Sequence, residues 1–342
     1  MKVIVMGAGI SGLAAASALA DADVDVKVVD MGENPGGRLA VRDLSATGTA
    51  WDGHVVDVGA AYFTVRDNEF ATQVQSWTDE GLVRQWCDTA TVVDEAGFSR
   101  RQGPLRYASP RGLRSLARAM VADLAARAHV TVDFSTVVAA VQAHAASVDV
   151  VLRDCDQQQI RQSADAVILA CPDPQALRVL HAQDFVELRA TLTEVSWEPV
   201  ICHTMVFHER FWPDDDLWFV NDSSVLATVA DDGRRRGDGA AVLVAHSTAA
   251  HAEPHLGNPE AAVCAIEAEV ARVLRTWAEP AHRITKRWGL ARPQRAREEL
   301  CGWDRQTKVA VCGDGWAGPS RIEAAWLSGR AAARQVLAAL GH

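Results

Sequence analysis

The residues with the plainest chemical purpose are three glycines, Gly7, Gly9 and Gly12, in the run GAGISG at residues 7–12. The G-x-G-x-x-G spacing supplies a tight turn, then bare backbone for a pyrophosphate to approach, then close packing of a helix on a strand. Ile10 and Ser11 occupy the intervening positions. A helix starting there points unpaired N–H groups and its positive dipole end at a phosphate. Eighteen residues after Gly12 stands Asp30, an acceptor for ribose hydroxyls, with Met31 following it. The elements that must position these residues are also legible. KVIVM (2–6) is the apolar run of a strand buried on both faces, LAAASALADA continues in helix formers, and VDVKVVD (24–30) reads as a second strand. A lone glycine motif is weak; one framed by strand, helix and acid specifies dinucleotide binding.

The stretch after Asp30 decides which dinucleotide. A nicotinamide enzyme needs the acid but not the Gly36-Gly37-Arg38 run six residues later, nor Arg42 beyond it. In flavoproteins of the amine-oxidase and related groups, a similar G-G-R passes beneath the FAD diphosphate and ribityl chain. Glycines there admit close approach, and arginine brings a cation. VVDVGAAYFT (55–64) resembles the flavoprotein segment that lays bare backbone along the isoalloxazine ring, with Gly59, Ala60 and Ala61 small where the ring comes close and Tyr62 next. The expected cofactor is therefore FAD.

The far end agrees. VAVCGD (309–314) reads as a strand ending in Gly313-Asp314, GWAGP turns the chain, and a helix is expected from about Ser320, with Pro319 in its first turn and Ile322 near the cofactor. In such proteins the aspartate holds the ribityl chain. The helix N-terminus faces the flavin edge that gains negative charge on reduction.

DMGENPGGRLAVRD, VDVGAAYFTVRDNEF, RWGLARP and GDGWAGPSRIEAAWLSG together resemble the renalase-type flavoproteins, over about half the chain. The resemblance implies an α/β fold: a Rossmann-type FAD-binding domain with an inserted α+β substrate domain built on an antiparallel sheet, as in p-hydroxybenzoate hydroxylase. It implies non-covalent FAD, and oxidation of 2- or 6-dihydro-NAD(P), dihydropyridine isomers of NAD(P)H, by hydride transfer to flavin N5. O2 would then take the electrons as H2O2. Two positions depart from the family pattern: Met31 stands where a basic residue is common, and Trp326 where a smaller one is. On this basis Tyr62, His246 and Trp288 are the candidate substrate-facing residues, and Val138 or its neighbour Val137 would bracket the adenine. A dihydropyridine gives up a hydride without first losing a proton, so no general base is needed and no catalytic dyad stands out.

Composition sets the outer bounds. The 342 residues exceed one ordinary core. Residues 1–66, 104–175 and 290–342 are expected to form the FAD-binding domain, and 67–103 with 176–289 the substrate domain. A net charge of −10 argues against nucleic acid or an anionic membrane as partner. Arg234–Arg236, beside Asp231, Asp232 and Asp238, read as a solvated loop. Seven cysteines, odd in number and without zinc spacing, fit a reduced cytoplasmic protein with no metal. No run approaches the roughly 20 apolar residues of a membrane helix.

The middle is coarser. SPRGLRSLARAMVADLAARAHV (109–130) has helical spacing, and VTVDFSTVVAAVQAH and ADAVILACPDPQA offer strands. VICHTMVF, LWFVN, VLATVA and AVLVAHS suggest an antiparallel sheet, covered by a helix over about Pro259–Trp277. Two other readings stay open. A flavin amine oxidase would share every FAD motif but wants an aromatic cage and a lysine, and the chain has two tyrosines, with Lys286 the one lysine near a crossing. A non-catalytic FAD-binding redox sensor is the second. An aromatic hydroxylase should carry a further Gly-Asp motif that the middle strands lack.

Overall fold

The computed structural model describes residues 1–341. Five parallel strands and one antiparallel edge strand form the first sheet. Its centre is β1 (Lys2–Met6), flanked by β2 (Asp25–Val29) and by the strand Ala166–Leu169. Val130–Asp133 extends it beyond β2, and Val309–Val311 with Gly302–Asp304 complete the other side. Val3, Ile4 and Val5 are fully buried, as a strand covered on both faces requires. The helix α1 (Ile10–Ala20) follows β1 without a gap longer than the glycine turn, and its small residues let the closing helix Ile322–Leu340 pack hard against it: a Cβ on Gly329 would lie 2.0 Å from the Ser11 carbonyl.

A second, seven-stranded sheet takes the order Trp197–Val206 beside His282–Pro293 at one edge, then Val242–Ser247, Leu226–Asp231, Leu217–Val220, Thr89–Asp94 and Gly97–Gln102. It is mixed rather than antiparallel throughout, because Leu217–Val220 runs parallel to Thr89–Asp94. That pair joins two distant stretches of sequence into one sheet. The helix Val263–Leu274 covers it, with Val263, Ile266, Val270 and Val273 all buried as their spacing predicts.

The chain divides into two compact units, Met1–Gly37 with Leu116–Ser196 and Arg292–His342, and Arg38–Ser115 with Trp197–Ala291. Three of the expected crossings, near 66, 103 and 176, differ from these divisions. The hairpin of β3 (Val41–Asp43) and β4 (Val55–Asp57) belongs with the seven-stranded sheet, because Ala40, Leu44, Val56 and Val58 share a core with Cys202, Val206, Val242 and Val244. Conversely, Ala176, Val179, Leu188 and Leu192 pack with Val309 and Val311.

Two helices start later than expected. The one expected at Ser109 begins at Arg114, since Gly112 takes φ +76° and breaks the turn. The closing helix begins at Ile322, so Pro319 lies in the preceding loop. No helix among the described residues is long and apolar enough to cross a membrane.

Candidate active site

In the first unit the glycines do what their spacing requires. Gly7 has φ +107°, and a Cβ there would lie 2.4 Å from the Ala170 carbonyl; one on Gly12 would lie 1.9 Å from the Gly7 carbonyl. Gly9, by contrast, has nothing within 4 Å of its missing Cβ, and no side chain caps the helix it begins. The N–H groups of that first turn are thus left to a ligand. Ile10 and Ser11 are buried behind it.

Asp30 also ties the turn together, its two oxygens accepting from Ala8 N at 2.6 Å and Gly32 N at 2.7 Å. A carboxylate has about four acceptor positions, so two remain for hydroxyls. Met31 is 67% exposed and supports nothing in the fold. Gly37 has φ +52° and lies 3.9 Å from the Gly9 Cα by its absent Cβ. Val138 buries its side chain in the core, leaving only backbone for an adenine, whereas Val137 is half-buried.

At the same C-terminal edge of the sheet, two strands over from β1, Gly313 (φ +150°) has open space around it, and Asp314 accepts a hydrogen bond from Ser320 at 2.6 Å. The loop is held by a residue that the sequence does not advertise. Arg297 donates to Asp173 at 2.9 Å and to the Thr191 carbonyl at 2.7 Å, and its guanidinium lies 4.3 Å from the centre of the Trp316 ring. Its backbone exchanges hydrogen bonds with Gly315 and Gly318. The closing helix has no side-chain cap at Arg321, and Ile322 is buried at its start.

In the second unit, the segment Asp57–Tyr62 gathers the remaining candidates. Trp288 donates its indole N–H to the Val58 carbonyl at 2.6 Å, and His246 Nε2 lies 2.9 Å from the Gly59 carbonyl. A Cβ on Gly59 would meet the Arg38 carbonyl at 2.0 Å, and Ala60 N donates to the same carbonyl. The small residue is therefore demanded first by the protein's own backbone. Arg38 donates to the Ala291 carbonyl at 3.0 Å and lies over Trp197.

The reading of Arg234–Arg236 as a solvated loop is wrong. Residues Asp232–Arg236 form a short helix in which Arg235 and Arg236 are buried. Arg235 donates to the Ala61 carbonyl at 2.5 Å and pairs with Asp57 and Asp232; Arg236 pairs with Asp232 and Asp238. Charge alternation looks solvated in one dimension, but the partner Asp57 lies 178 residues away and is invisible to local spacing.

Tyr62 packs 6.0 Å from Trp86, and the Arg106 guanidinium lies 5.3 Å from the Tyr62 ring centre and 5.4 Å from that of Phe219. Burial pushes the Cys87 thiol up to about 11 and the Cys202 thiol up to about 12, so neither offers a thiolate. The Lys286 ammonium is held below its usual pKa by burial and then by the charges of Arg42, Arg287 and Arg114.

Residues 77–337 match the family of flavin-containing amine oxidoreductases, and residues 5–76 match an NAD(P)-binding Rossmann-like domain. The chain belongs to the flavin-containing amine oxidoreductase family: it is an oxidoreductase, and its cofactor is FAD. It is similar over its whole length to cyclohexylamine oxidase from Brevibacterium oxydans IH-35A, at 14% identity and a TM-score of 0.76, covering 100% of this chain and 99% of that one. A putrescine oxidase bound to putrescine gives 17%, 0.74, and 99% of each chain. An oxidoreductase from Methanosarcina mazei gives 13% and 0.71, covering 97% of this chain and 99% of the other. At these identities the likeness is one of fold. The uncapped first turn at Gly9, with space where a side chain would stand, fits the cofactor's diphosphate.

Proposed function

We propose that the chain is a renalase-type oxidase within this family, taking a dihydropyridine nucleotide such as 2- or 6-dihydro-NAD(P) and passing its electrons to O2. The observation that supports this substrate over an amine is Arg106. Its side chain is only 6% exposed, it makes no ion pair among the described residues, and it lies against the face of Tyr62, the tyrosine next to the glycine-alanine segment. If Tyr62 faces the substrate, its ring already carries a protein cation on one face, and an ammonium brought there is repelled.

FAD supplies a two-electron acceptor. The chain's residues do the rest by position. The first turn after Gly9 holds phosphate, Asp30 takes ribose hydroxyls, and Asp314 faces the ribityl chain. Trp288, His246 and Arg235 fix the carbonyls of Val58, Gly59 and Ala61, which keeps that segment flat for a planar ring. No residue has to remove a proton. FAD is taken to be held without a covalent bond, as the resemblance to the renalase-type flavoproteins implies. All seven cysteines are free, in keeping with a reducing compartment such as the cytoplasm.

Amine oxidation is the second reading, favoured by the family and by the amines named for two of the similar structures. Anaerobic stopped-flow mixing separates the two. Rapid bleaching of the flavin by dihydropyridine nucleotides, and none by primary or secondary amines, is the expected result. Bleaching by amines alone overturns it.

A further inference from the structure

The carbonyls pinned in the segment Asp57–Tyr62 fix the direction of the donors beside them. A trans peptide is planar, so the N–H that follows a carbonyl points the opposite way. Gly59 N–H therefore points away from Trp288, and Tyr62 N–H away from Arg235, while Ala60 N–H, away from His246, reaches the Arg38 carbonyl. The N–H groups of Gly59, Ala61 and Tyr62 meet no acceptor among the described residues, and the segment is half-buried. Backbone donors left without acceptors on such a segment suit the acceptor atoms of a ligand.

Of the three side chains that pin these carbonyls, Arg235 has the firmest mount. Its helix, Asp232–Arg236, is capped by Asp231 at Arg234 N and ended by Gly237 at φ +84°. It packs so closely that a Cβ on Gly233 would lie 2.1 Å from the Ala240 carbonyl. Arg84 donates to the carbonyls of Arg234 and Arg235, both at 2.8 Å. The Arg235 side chain is fully buried, and its charge partners are themselves engaged: Asp57 accepts from Leu113 N at 2.8 Å, and Asp232 from Arg236 at 2.6 Å. A cation held on the Ala61 carbonyl polarises that peptide and makes Tyr62 N–H the stronger donor.

We propose that Arg235 is a positioning residue for the cofactor: it orients and polarises the Ala61–Tyr62 peptide so that Tyr62 N–H donates to the acceptor edge of the flavin ring and favours its reduced, negatively charged state. Arg235 touches no reacting atom and acts only through this peptide. The inference holds for either substrate and rests on the reading that the segment Asp57–Tyr62 lies along the ring.

The test uses the FAD-loaded protein. The midpoint potential of the bound flavin is measured by dye equilibration in the wild type, in Asp57→Asn, and in Arg235→Gln combined with Asp57→Asn, a pair of changes that removes one charge of each sign. The double variant is expected to hold reduced flavin about tenfold less tightly relative to oxidised flavin, a fall of about 30 mV for a two-electron couple. Asp57→Asn leaves Arg235 on the Ala61 carbonyl and removes a negative charge, so its potential stays at or above that of the wild type, although its stability to urea falls. Should the double variant not retain FAD, Arg235→Lys, which keeps the charge but loses the planar fork, is expected to show the fall instead. An Arg235 variant with the wild-type potential, or an equal fall in Asp57→Asn, overturns the assignment. Tyr62→Trp checks the underlying reading separately, because an indole beside the ring alters the flavin spectrum and quenches its fluorescence. No change in either places the segment away from the ring and removes the proposal with it.

Discussion

Arg235 carries more of the structure than its sequence neighbourhood suggests. It is fully buried, spans Asp57 and Asp232, and reaches the Ala61 carbonyl. Replacing it with methionine strands Asp57 without a counter-ion, and about 3–5 kcal/mol of stability is expected to go, read by urea unfolding. Gly59→Ala forces a methyl group against the Arg38 carbonyl, so a loss of about 1–3 kcal/mol together with weaker FAD retention is expected, measured by unfolding and by flavin release on dilution. His203 sets a pH dependence. It is buried between Glu267 (Nε2 to Oε1, 3.0 Å) and Thr285, and desolvation holds its pKa below the usual 6.5. Just below that value the unfolded chain takes up a proton that the folded one refuses. Stability is therefore full above about pH 6.5 and falls as the pH drops, by up to about 1.4 kcal/mol per unit. Thermal melts of the wild type between pH 8 and 5.5 should show the decline, and His203→Gln should flatten it; an equal slope in both removes His203 as the cause. Of Arg235, Gly59 and His203, only Gly59 was legible in the sequence, because a glycine beside two alanines declares itself locally. Arg235 and His203 depend on partners far along the chain.

At the scale of elements, periodicity and glycine punctuation located most strands and helices. They failed where a loop borrows its order from elsewhere. Ser109–Gly112 and Pro319–Arg321 look like helix starts by residue type, yet the first is diverted by the left-handed Gly112 and a Ser109–Ser115 hydrogen bond, and the second by Ser320 bonding to Asp314. The loop Gly313–Gly318 similarly owes its shape to Arg297. Arg297→Met is expected to destabilise the fold by about 3–5 kcal/mol by removing the guanidinium paired with buried Asp173, whereas adding Asp173→Asn recovers part of that loss. Chemical unfolding of the two variants decides this; a double variant no better than the single one would show that the ion pair is not the source of the effect.

For the whole molecule, the glycine motifs at both ends made the FAD-binding sheet readable. The division into units was not, because hairpin β3–β4 looks like a continuation of the nucleotide motif and only its buried face, Val56 and Val58, shows which sheet it serves. FAD binds the folded state alone, so free FAD at one hundred times its dissociation constant is expected to add about 2.7 kcal/mol to stability. A melting temperature indifferent to added FAD would contradict the cofactor assignment.

The interleaving of the units also bears on how the chain comes to be folded in a cell. The strand β1 is made first, but its neighbour Ala166–Leu169, and Val309–Val311 that pairs with that neighbour, leave the ribosome long afterwards. Until then the valines of β1 and β2 have an incomplete sheet to join, and the nascent chain carries unsatisfied strand edges through most of its synthesis. Holdase chaperones should therefore engage it early, and productive expression should respond more to slower translation or lower temperature than to the supply of riboflavin.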